Sequence, residues 1–238
     1  MPDELLRIEG RMTRELETLP FSKPVEFVYN PLQYANAPHE AYVRRFASRG
    51  SEVILLGMNP GPFGMAQTGV PFGEVSLVRD WMGIRARVGR PPREHPKRPI
   101  QGFDCPRSEV SGARLWGWAR DRFEIPARFF ARFFVINYCP LVFMEASGRN
   151  RTPDKCRKVE RDALYAICDR ALRASIEHLE PEWVIGVGAF AEERAARALD
   201  GLPVRVGRML HPSPQSPAAN RGWAEAAERD LAAAGIVL

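Results

Sequence analysis

The sequence predicts an α/β fold in which helices cover both faces of a parallel β-sheet. Four short runs rich in aliphatic and aromatic residues are predicted strands: Glu52–Leu56, Phe133–Asn137, Trp183–Gly188 and Val204–Leu210. Segments with the apolar spacing of amphipathic helices separate these runs along the chain. Because strands that alternate with helices are joined by crossover connections, they pair in parallel within one sheet.

The helices are predicted from apolar periodicity and from the residues that end them. Glu4–Thr18 is an amphipathic helix that Pro20 and Pro24 end, and the stretch from there to Pro38 is expected to be irregular. The other predicted helices are His39–Arg49, Glu74–Met82, Ser108–Arg122, a helix that follows Thr152-Pro153, Ala189–Leu199 and Ala218–Ala234.

Composition limits the classes of function. The 238 residues contain no linker-like segment, so one domain over residues 1–238 is expected. The net charge of +5 favours a polyanionic partner. No apolar run is long enough to cross a membrane, and the acidic N-terminus is unlike a signal peptide. An intracellular location is therefore expected: cytoplasm or nucleoid in a bacterium, nucleus in a eukaryote.

The four cysteines are widely scattered and lack the paired spacing of a zinc site. They are expected to be reduced thiols, and no metal site is predicted.

The segment Gly57–Gly73 follows the first predicted strand and contains five glycines and three prolines. Such a loop can bring backbone N–H groups close to a ligand and hold them rigidly. It lacks the lysine of a phosphate-binding P-loop, which argues against that function. Without other information, an elaborate connection between a strand and a helix explains the segment equally well.

A second segment, His211–Trp223, follows the fourth predicted strand and is rich in proline and serine. Both segments resemble the active-site loops of the single-strand-selective monofunctional uracil-DNA glycosylases, a branch of the uracil-DNA glycosylase superfamily. The segments Asn137–Leu141 and Ser147–Asn150 also fit this family, and the resemblance extends from about Pro38 to the C-terminus.

The resemblance implies a three-layer α/β/α sandwich around a four-stranded parallel sheet, the uracil-DNA glycosylase-like fold. It implies hydrolysis of the N-glycosidic bond of uracil, and of 5-hydroxymethyluracil, in single- and double-stranded DNA. An abasic site would remain for base-excision repair. The implied enzyme is a monomer that needs no cofactor and has no lyase activity, and the three active-site-like loops contain no lysine for a Schiff base.

The resemblance also assigns residues to the reaction. Asn59 would position the attacking water, and His211 would donate a hydrogen bond to O2 of the departing base. Phe72 would stack on the base. Asn137 would read the pyrimidine edge, because one carboxamide offers both a donor and an acceptor. The pocket would be shaped by two further residues, Met58 and Gly61.

The best-known uracil-DNA glycosylases carry an aspartate where Asn59 stands. An amide cannot take a proton from water as a carboxylate can. We therefore expect a dissociative mechanism, in which the glycosidic bond stretches before an oriented water completes the reaction.

DNA contacts are expected from two regions. The wedge that enters the base stack would consist of Pro212, Ser213, Pro214, Gln215 and Ser216, with Arg221 nearby. Gln215 departs from the family, whose members carry a basic residue there. The basic segment Arg85–Pro99 is a solvated excursion in which Lys97 and Arg98 are expected to contact phosphates and His95 to face DNA.

Other functions remain open from the sequence. A glycosylase of the same superfamily could act mainly on another deaminated base, such as hypoxanthine or xanthine, or a relative could bind DNA with weak catalysis. The segment Gly186–Ala191 imitates a dinucleotide-binding fingerprint and allows an oxidoreductase. The following predicted strand, however, ends without an acidic residue to hold a ribose.

Overall fold

The computed structural model describes residues 2–238. Its strands are β1 (Phe27–Tyr29), β2 (Val53–Gly57), β3 (Phe133–Asn137), β4 (Val142–Met144), β5 (Asn150–Arg151), β6 (Trp183–Val187) and β7 (Arg205–Met209). Its helices are α1 (Pro2–Glu17), α2 (Pro31–Tyr34), α3 (Asn36–Phe46), α4 (Met65–Thr68), α5 (Val110–Phe123), α6 (Pro126–Phe130), α7 (Lys158–Leu179), α8 (Ala189–Ala198), α9 (Pro217–Asn220) and α10 (Trp223–Ala233). Leu77–Trp81 forms a single π-helical turn.

The central sheet contains the four predicted strands in the order β3-β2-β6-β7, and every neighbouring pair is parallel. Strands β2 and β3 pair in register, so that Gly57 lies opposite Asn137 at their carboxyl ends. All five residues of β2 are buried, which explains its continuous apolar sequence. The prediction of a four-stranded parallel sheet is confirmed.

Helices pack against this sheet in two groups. Helix α8 contacts β6 and β7 and also packs on α7, which in turn packs along α1. Helix α10 contacts β7 and α5, and α5 packs on α6. Aromatic side chains such as Trp116 and Phe129 fill the core beside α5, with ring centroids 5.6 Å apart. The predicted three-layer α/β/α arrangement is confirmed.

A second, antiparallel sheet was not predicted. Its strands run in the order β1-β4-β5, and β1 lies within the stretch that the sequence suggested was irregular up to Pro38. That prediction was wrong, because α2 also forms there and α3 begins at Asn36. Strands of two or three residues are too short for a periodic pattern to reveal them.

The predicted last helix, Ala218–Ala234, is also interrupted. It divides into α9 and α10, because Gly222 has a φ of 143° and breaks the helical backbone. Helix α9 is a single turn.

His95 does not face DNA, and that prediction was wrong. Its side chain is buried, with 1% exposure. Nε2 lies 3.1 Å from the Ala146 carbonyl oxygen, and Nδ1 accepts a hydrogen bond from the Lys97 backbone N–H at 3.0 Å. The segment around it is irregular as predicted, but this histidine anchors it to the protein and is not part of its solvated surface.

All four cysteines are free and buried. Within residues 2–238, no helix has the length and apolar character needed to cross a membrane.

A buried polar network holds the segment that follows β3. The Tyr138 hydroxyl donates to Asp169 Oδ1 at 2.7 Å, and Arg194 forms an ion pair with the same carboxylate. The Arg194 guanidinium also stacks on the Tyr165 ring, 4.2 Å from its centroid. Because Tyr138 directly follows Asn137, this network fixes the end of β3 where the predicted pyrimidine reader stands.

We expect Asp169→Ala to destabilise the fold by about 3 kcal/mol, because it leaves the buried Arg194 guanidinium without its carboxylate. Urea unfolding measures the change. The control is Arg197→Ala, which removes an exposed ion pair with Glu193 on the same helix and should cost less than about 0.5 kcal/mol. Equal losses in the two variants would contradict the structural role of the network.

Candidate active site

Most of the predicted site residues meet in a cleft of about 820 Å³ at the carboxyl edge of the parallel sheet. This edge is where open α/β sheets bind ligands, because loops from neighbouring strands diverge there. The lining includes nine of the predicted residues or their immediate neighbours: Met58, Asn59, Pro60, Gly61, Phe72, Asn137, His211, Ser213 and Gln215. The loops after β2, β3 and β7 thus build one site.

The Asn59 side chain is held by the backbone of a neighbouring loop. Its amide Nδ2 donates to the Leu141 carbonyl oxygen at 3.0 Å and lies 3.4 Å from the Pro60 carbonyl oxygen. These contacts commit the amide nitrogen to the protein. The carbonyl oxygen Oδ1 is therefore the atom of this side chain suited to accept a hydrogen bond from water.

Gly57 allows two side chains of the cleft to approach its backbone closely. A Cβ atom at this position would lie 2.2 Å from Asn137 Oδ1 and 2.6 Å from Phe72 Cε2. The Asn137 amide and the Phe72 ring therefore both occupy the space above Gly57. The Asn137 Nδ2 donates towards the Met65 sulfur at 3.2 Å. This contact fixes the orientation of the amide, with its NH2 group on the Met65 side.

Phe72 adopts a left-handed backbone conformation, with φ of 53°. Such a conformation is uncommon for a large side chain and persists only where surrounding contacts enforce it. The Phe72 carbonyl oxygen accepts a hydrogen bond from the Glu74 N–H at 2.7 Å. The same oxygen lies against Gly112 of α5, since a Cβ atom added at Gly112 would be 1.9 Å from it. The Phe72 ring centroid is 6.2 Å from that of His211.

Burial and one hydrogen bond favour a neutral His211 imidazole with a single tautomer. Burial lowers its pKa below the ordinary value of 6.5. Its Nδ1 accepts the Ser213 backbone N–H at 3.0 Å. Because Nδ1 is the acceptor, the ring proton is on Nε2, which is the atom left to donate into the cleft. Gly188 lies against this ring, with its backbone at φ of 96°.

The predicted wedge residues occupy different environments. Ser213 and Gln215 line the cleft, and Pro214 is exposed beside them. Pro212 is buried. The Ser216 hydroxyl accepts from the Ala219 N–H at 3.3 Å and caps α9.

Arg221 follows α9 and is exposed. Its proposed contact with DNA is a prediction that the structure leaves untested.

Basic side chains form part of the cleft lining, here called the basic wall. Arg98 belongs to the cleft lining, whereas Lys97 is exposed beside it. Arg149 lies in the segment Ser147–Asn150 that fits the family, but no contact with DNA was predicted for it, for Arg151 or for Lys155. The fold of β5 and the following turn brings all three to the cleft. Their spacing in the sequence carries no periodic signal, so only the fold shows that they share a surface.

One further residue that sequence reasoning missed supports the site at the start of α5. Glu109 lines the cleft and caps this helix by accepting the backbone N–H groups of Ser111 and Gly112. Burial raises the pKa of its carboxyl above the ordinary value. Glu109 is the second residue of the predicted helix Ser108–Arg122, where an acidic side chain is typical of an ordinary helix start, so the sequence gave no reason to place it in the site.

Comparison with known proteins identifies the family. The uracil DNA glycosylase superfamily matches residues 44–232. The single-strand selective monofunctional uracil-DNA glycosylase of Rattus norvegicus is 52% identical over 239 residues, spanning 100% of this chain and 86% of its own length. The Mus musculus relative of the same name is 51% identical, with 100% and 86% covered. That of Bos taurus is 50% identical, with 100% and 88% covered. The chain therefore belongs to the uracil DNA glycosylase superfamily and, within it, to the single-strand selective monofunctional family.

A solved structure supports the fold. The crystal structure of wild-type SMUG2 from Pedobacter heparinus is similar with a TM-score of 0.66 at 17% identity, covering 96% of this chain and 97% of that one. The resemblance and the fold class predicted from the sequence are both confirmed.

We expect Gly57→Ala to reduce base excision about 10²-fold, because its Cβ must displace Asn137 or Phe72 by roughly 1 Å. Single-turnover kinetics on a uracil-containing oligonucleotide measures the loss. Gly117→Ala in α5 is the matched control, since its Cβ would meet no heavy atom within 4 Å. Full activity in Gly57→Ala would show that the pocket does not depend on this close approach.

The lowered pKa of His211 also predicts a pH profile. Below that pKa, Nδ1 takes up a proton and can no longer accept the Ser213 N–H, so excision should fall on acidification. Because the pKa lies below 6.5, we expect rates at saturating enzyme to fall on acidification with a midpoint below pH 6.5. An acid limb centred above pH 6.5 would contradict this assignment.

Proposed function

We propose that this protein is a monofunctional uracil-DNA glycosylase that hydrolyses the N-glycosidic bond of uracil in DNA and leaves an abasic site. The observation that carries the proposal is the position of Asn59, Asn137 and His211 around one cleft. Asn59 and Asn137 are held by other chain segments, and His211 is held by the backbone of its own loop. The names of the relatives at 50% to 52% identity agree with this reaction.

The cleft is suited to an extruded pyrimidine. Above Gly57, the Phe72 ring offers a surface on which the base can stack, and the Asn137 amide offers its polar edge. Uracil needs a donor to its O4 and an acceptor for its N3–H, which Nδ2 and Oδ1 supply. Cytosine presents the opposite pattern at the same two positions, so its binding would leave polar groups unpaired.

Catalysis then relies on positioning and electrostatics. As the glycosidic bond stretches, negative charge develops on the leaving uracil, and the His211 Nε2–H donates to its O2. A donor aimed at a developing anion accelerates a reaction by about 10²–10³-fold. The Asn59 Oδ1 accepts a hydrogen bond from a water and directs its oxygen towards the sugar carbon. After the bond to the base has broken, the added water releases its proton to solvent and the uracil anion takes one up from solvent, so no strong base is required.

Three further features of the function are part of the proposal. The enzyme acts without lyase chemistry, because water is the nucleophile and neither catalytic side chain is an amine. It also removes 5-hydroxymethyluracil, since Gly61 adds no side chain to the cleft and even a Cβ there would meet nothing within 4 Å. It accepts both single- and double-stranded DNA, whose phosphates contact the basic wall that includes Arg98 and Arg149.

We expect uracil to be excised from a labelled single-stranded oligonucleotide, with strand breaks only after alkali is added. Asn59→Ala and His211→Ala should each lower the single-turnover rate constant about 10²–10³-fold. Asn137→Asp should abolish uracil excision or shift it towards cytosine. The matched control is His178→Ala on α7, a histidine that does not line the cleft.

Breaks without alkali would overturn the monofunctional assignment. Loss of activity in His178→Ala as well as His211→Ala would remove the specific role of His211. If no uracil is excised from single strands or duplexes, the same assay with hypoxanthine and xanthine identifies a different base as the substrate.

A further inference from the structure

We propose that Arg114 is a positioning residue for His211, which sets the tautomer of the imidazole through one peptide group. The inference rests on the proposed function only in that it treats His211 as the donor to the leaving base. Arg114 itself lies on α5 and does not line the cleft.

The Arg114 guanidinium holds the loop that follows β7. Nη1 donates to the Pro212 carbonyl oxygen at 3.0 Å and to the Ser213 carbonyl oxygen at 3.3 Å. Nη2 donates to the Asn220 Oδ1 at 2.8 Å. The Asn220 Nδ2 in turn donates to the Pro214 carbonyl oxygen at 2.9 Å. One arginine and one asparagine thus bind three successive carbonyl groups of the predicted wedge.

The Pro212 carbonyl and the Ser213 N–H belong to the same planar peptide group. The carbonyl accepts from Arg114, and the N–H donates to His211 Nδ1 at 3.0 Å. Since the two atoms point in opposite directions from a rigid plane, fixing the carbonyl on the Arg114 side aims the N–H at the imidazole. The positive charge on the carbonyl side also polarises the peptide and strengthens its N–H as a donor.

This arrangement decides where the imidazole proton resides. With the Ser213 N–H directed at Nδ1, a proton on Nδ1 would face another donor, so the Nε2–H tautomer is strongly favoured. If the peptide turns away, the Nδ1–H tautomer becomes accessible. That tautomer presents an unprotonated Nε2 to the cleft, where O2 of the departing base requires a donor.

Arginine suits this position better than lysine. Its planar guanidinium presents several N–H groups in a fixed geometry, which lets it bind two adjacent carbonyls and the Asn220 amide together. A lysine ammonium is a single point with freely rotating donors. It could keep the charge near the loop without fixing the orientation of the peptide.

The experiment compares Arg114→Ala, Arg114→Lys and Arg120→Ala in the full-length protein. Arg120 is the matched control, since it lies on the same helix and pairs only with the neighbouring Asp121 among the described residues. Three quantities are measured: the tautomer of His211 by ¹⁵N NMR of the imidazole, the single-turnover excision rate with its half-saturating enzyme concentration, and thermal unfolding to confirm that each variant is folded.

Wild type and Arg120→Ala should show the Nε2–H tautomer. Arg114→Ala should show a mixture of tautomers and an excision rate about 10-fold lower, with the half-saturating concentration changed less than about twofold. Arg114→Lys should give a tautomer ratio and an excision rate between those of the wild type and Arg114→Ala.

Retention of the Nε2–H tautomer in folded Arg114→Ala overturns the proposal, whatever happens to the rate. So does a change confined to the half-saturating concentration, because that is the signature of a residue that only shapes the DNA-binding loop. The NMR measurement needs no substrate. If the wild-type protein excises no uracil but Arg114→Ala no longer holds His211 in the Nε2–H tautomer, the proposed function is refuted and the role of Arg114 is supported.

Discussion

The close approach of three chain segments above Gly57 is the constraint on which the site depends. The parallel register of β2 and β3 places Asn137 directly opposite this glycine. The turn that contains Phe72 then lies over the same position, where even one methyl group would collide with both side chains. The packing of the sheet edge therefore creates the base pocket. This packing holds Phe72 in a left-handed backbone conformation, which is energetically unfavourable for a large side chain.

Asn59, Asn137 and His211 share a second property. In each side chain, one polar atom is hydrogen-bonded to the backbone or to another side chain. That bond determines whether the remaining polar atom donates or accepts. The Asn59 nitrogen is bound to Leu141, so the amide oxygen is left for water. The His211 Nδ1 is bound to Ser213, so the other nitrogen carries the proton. Preorganisation of this kind supplies catalytic electrostatics without reorganisation during the reaction.

The sequence predicted the central sheet well, because buried parallel strands are continuous apolar runs that differ clearly from the amphipathic helices between them. The resemblance of the two Gly/Pro/Ser-rich loops then predicted Asn59 and His211, and the structure brings both to one cleft. The small antiparallel sheet escaped prediction because its strands are two or three residues long. Gly112 and Arg114 also escaped, since their importance lies in contacts between α5 and distant loops. Local sequence carries no signal of such contacts.

The most direct test of the account is a crystal structure of the protein with a single-stranded oligonucleotide containing 2′-fluoro-2′-deoxyuridine, whose glycosidic bond resists cleavage. We expect the uracil to stack on Phe72, with O4 within hydrogen-bond distance of Asn137 Nδ2 and O2 within that distance of His211 Nε2. A water should lie between Asn59 Oδ1 and the sugar carbon. A base bound outside this cleft, or one that meets His211 through Nδ1, would contradict the account.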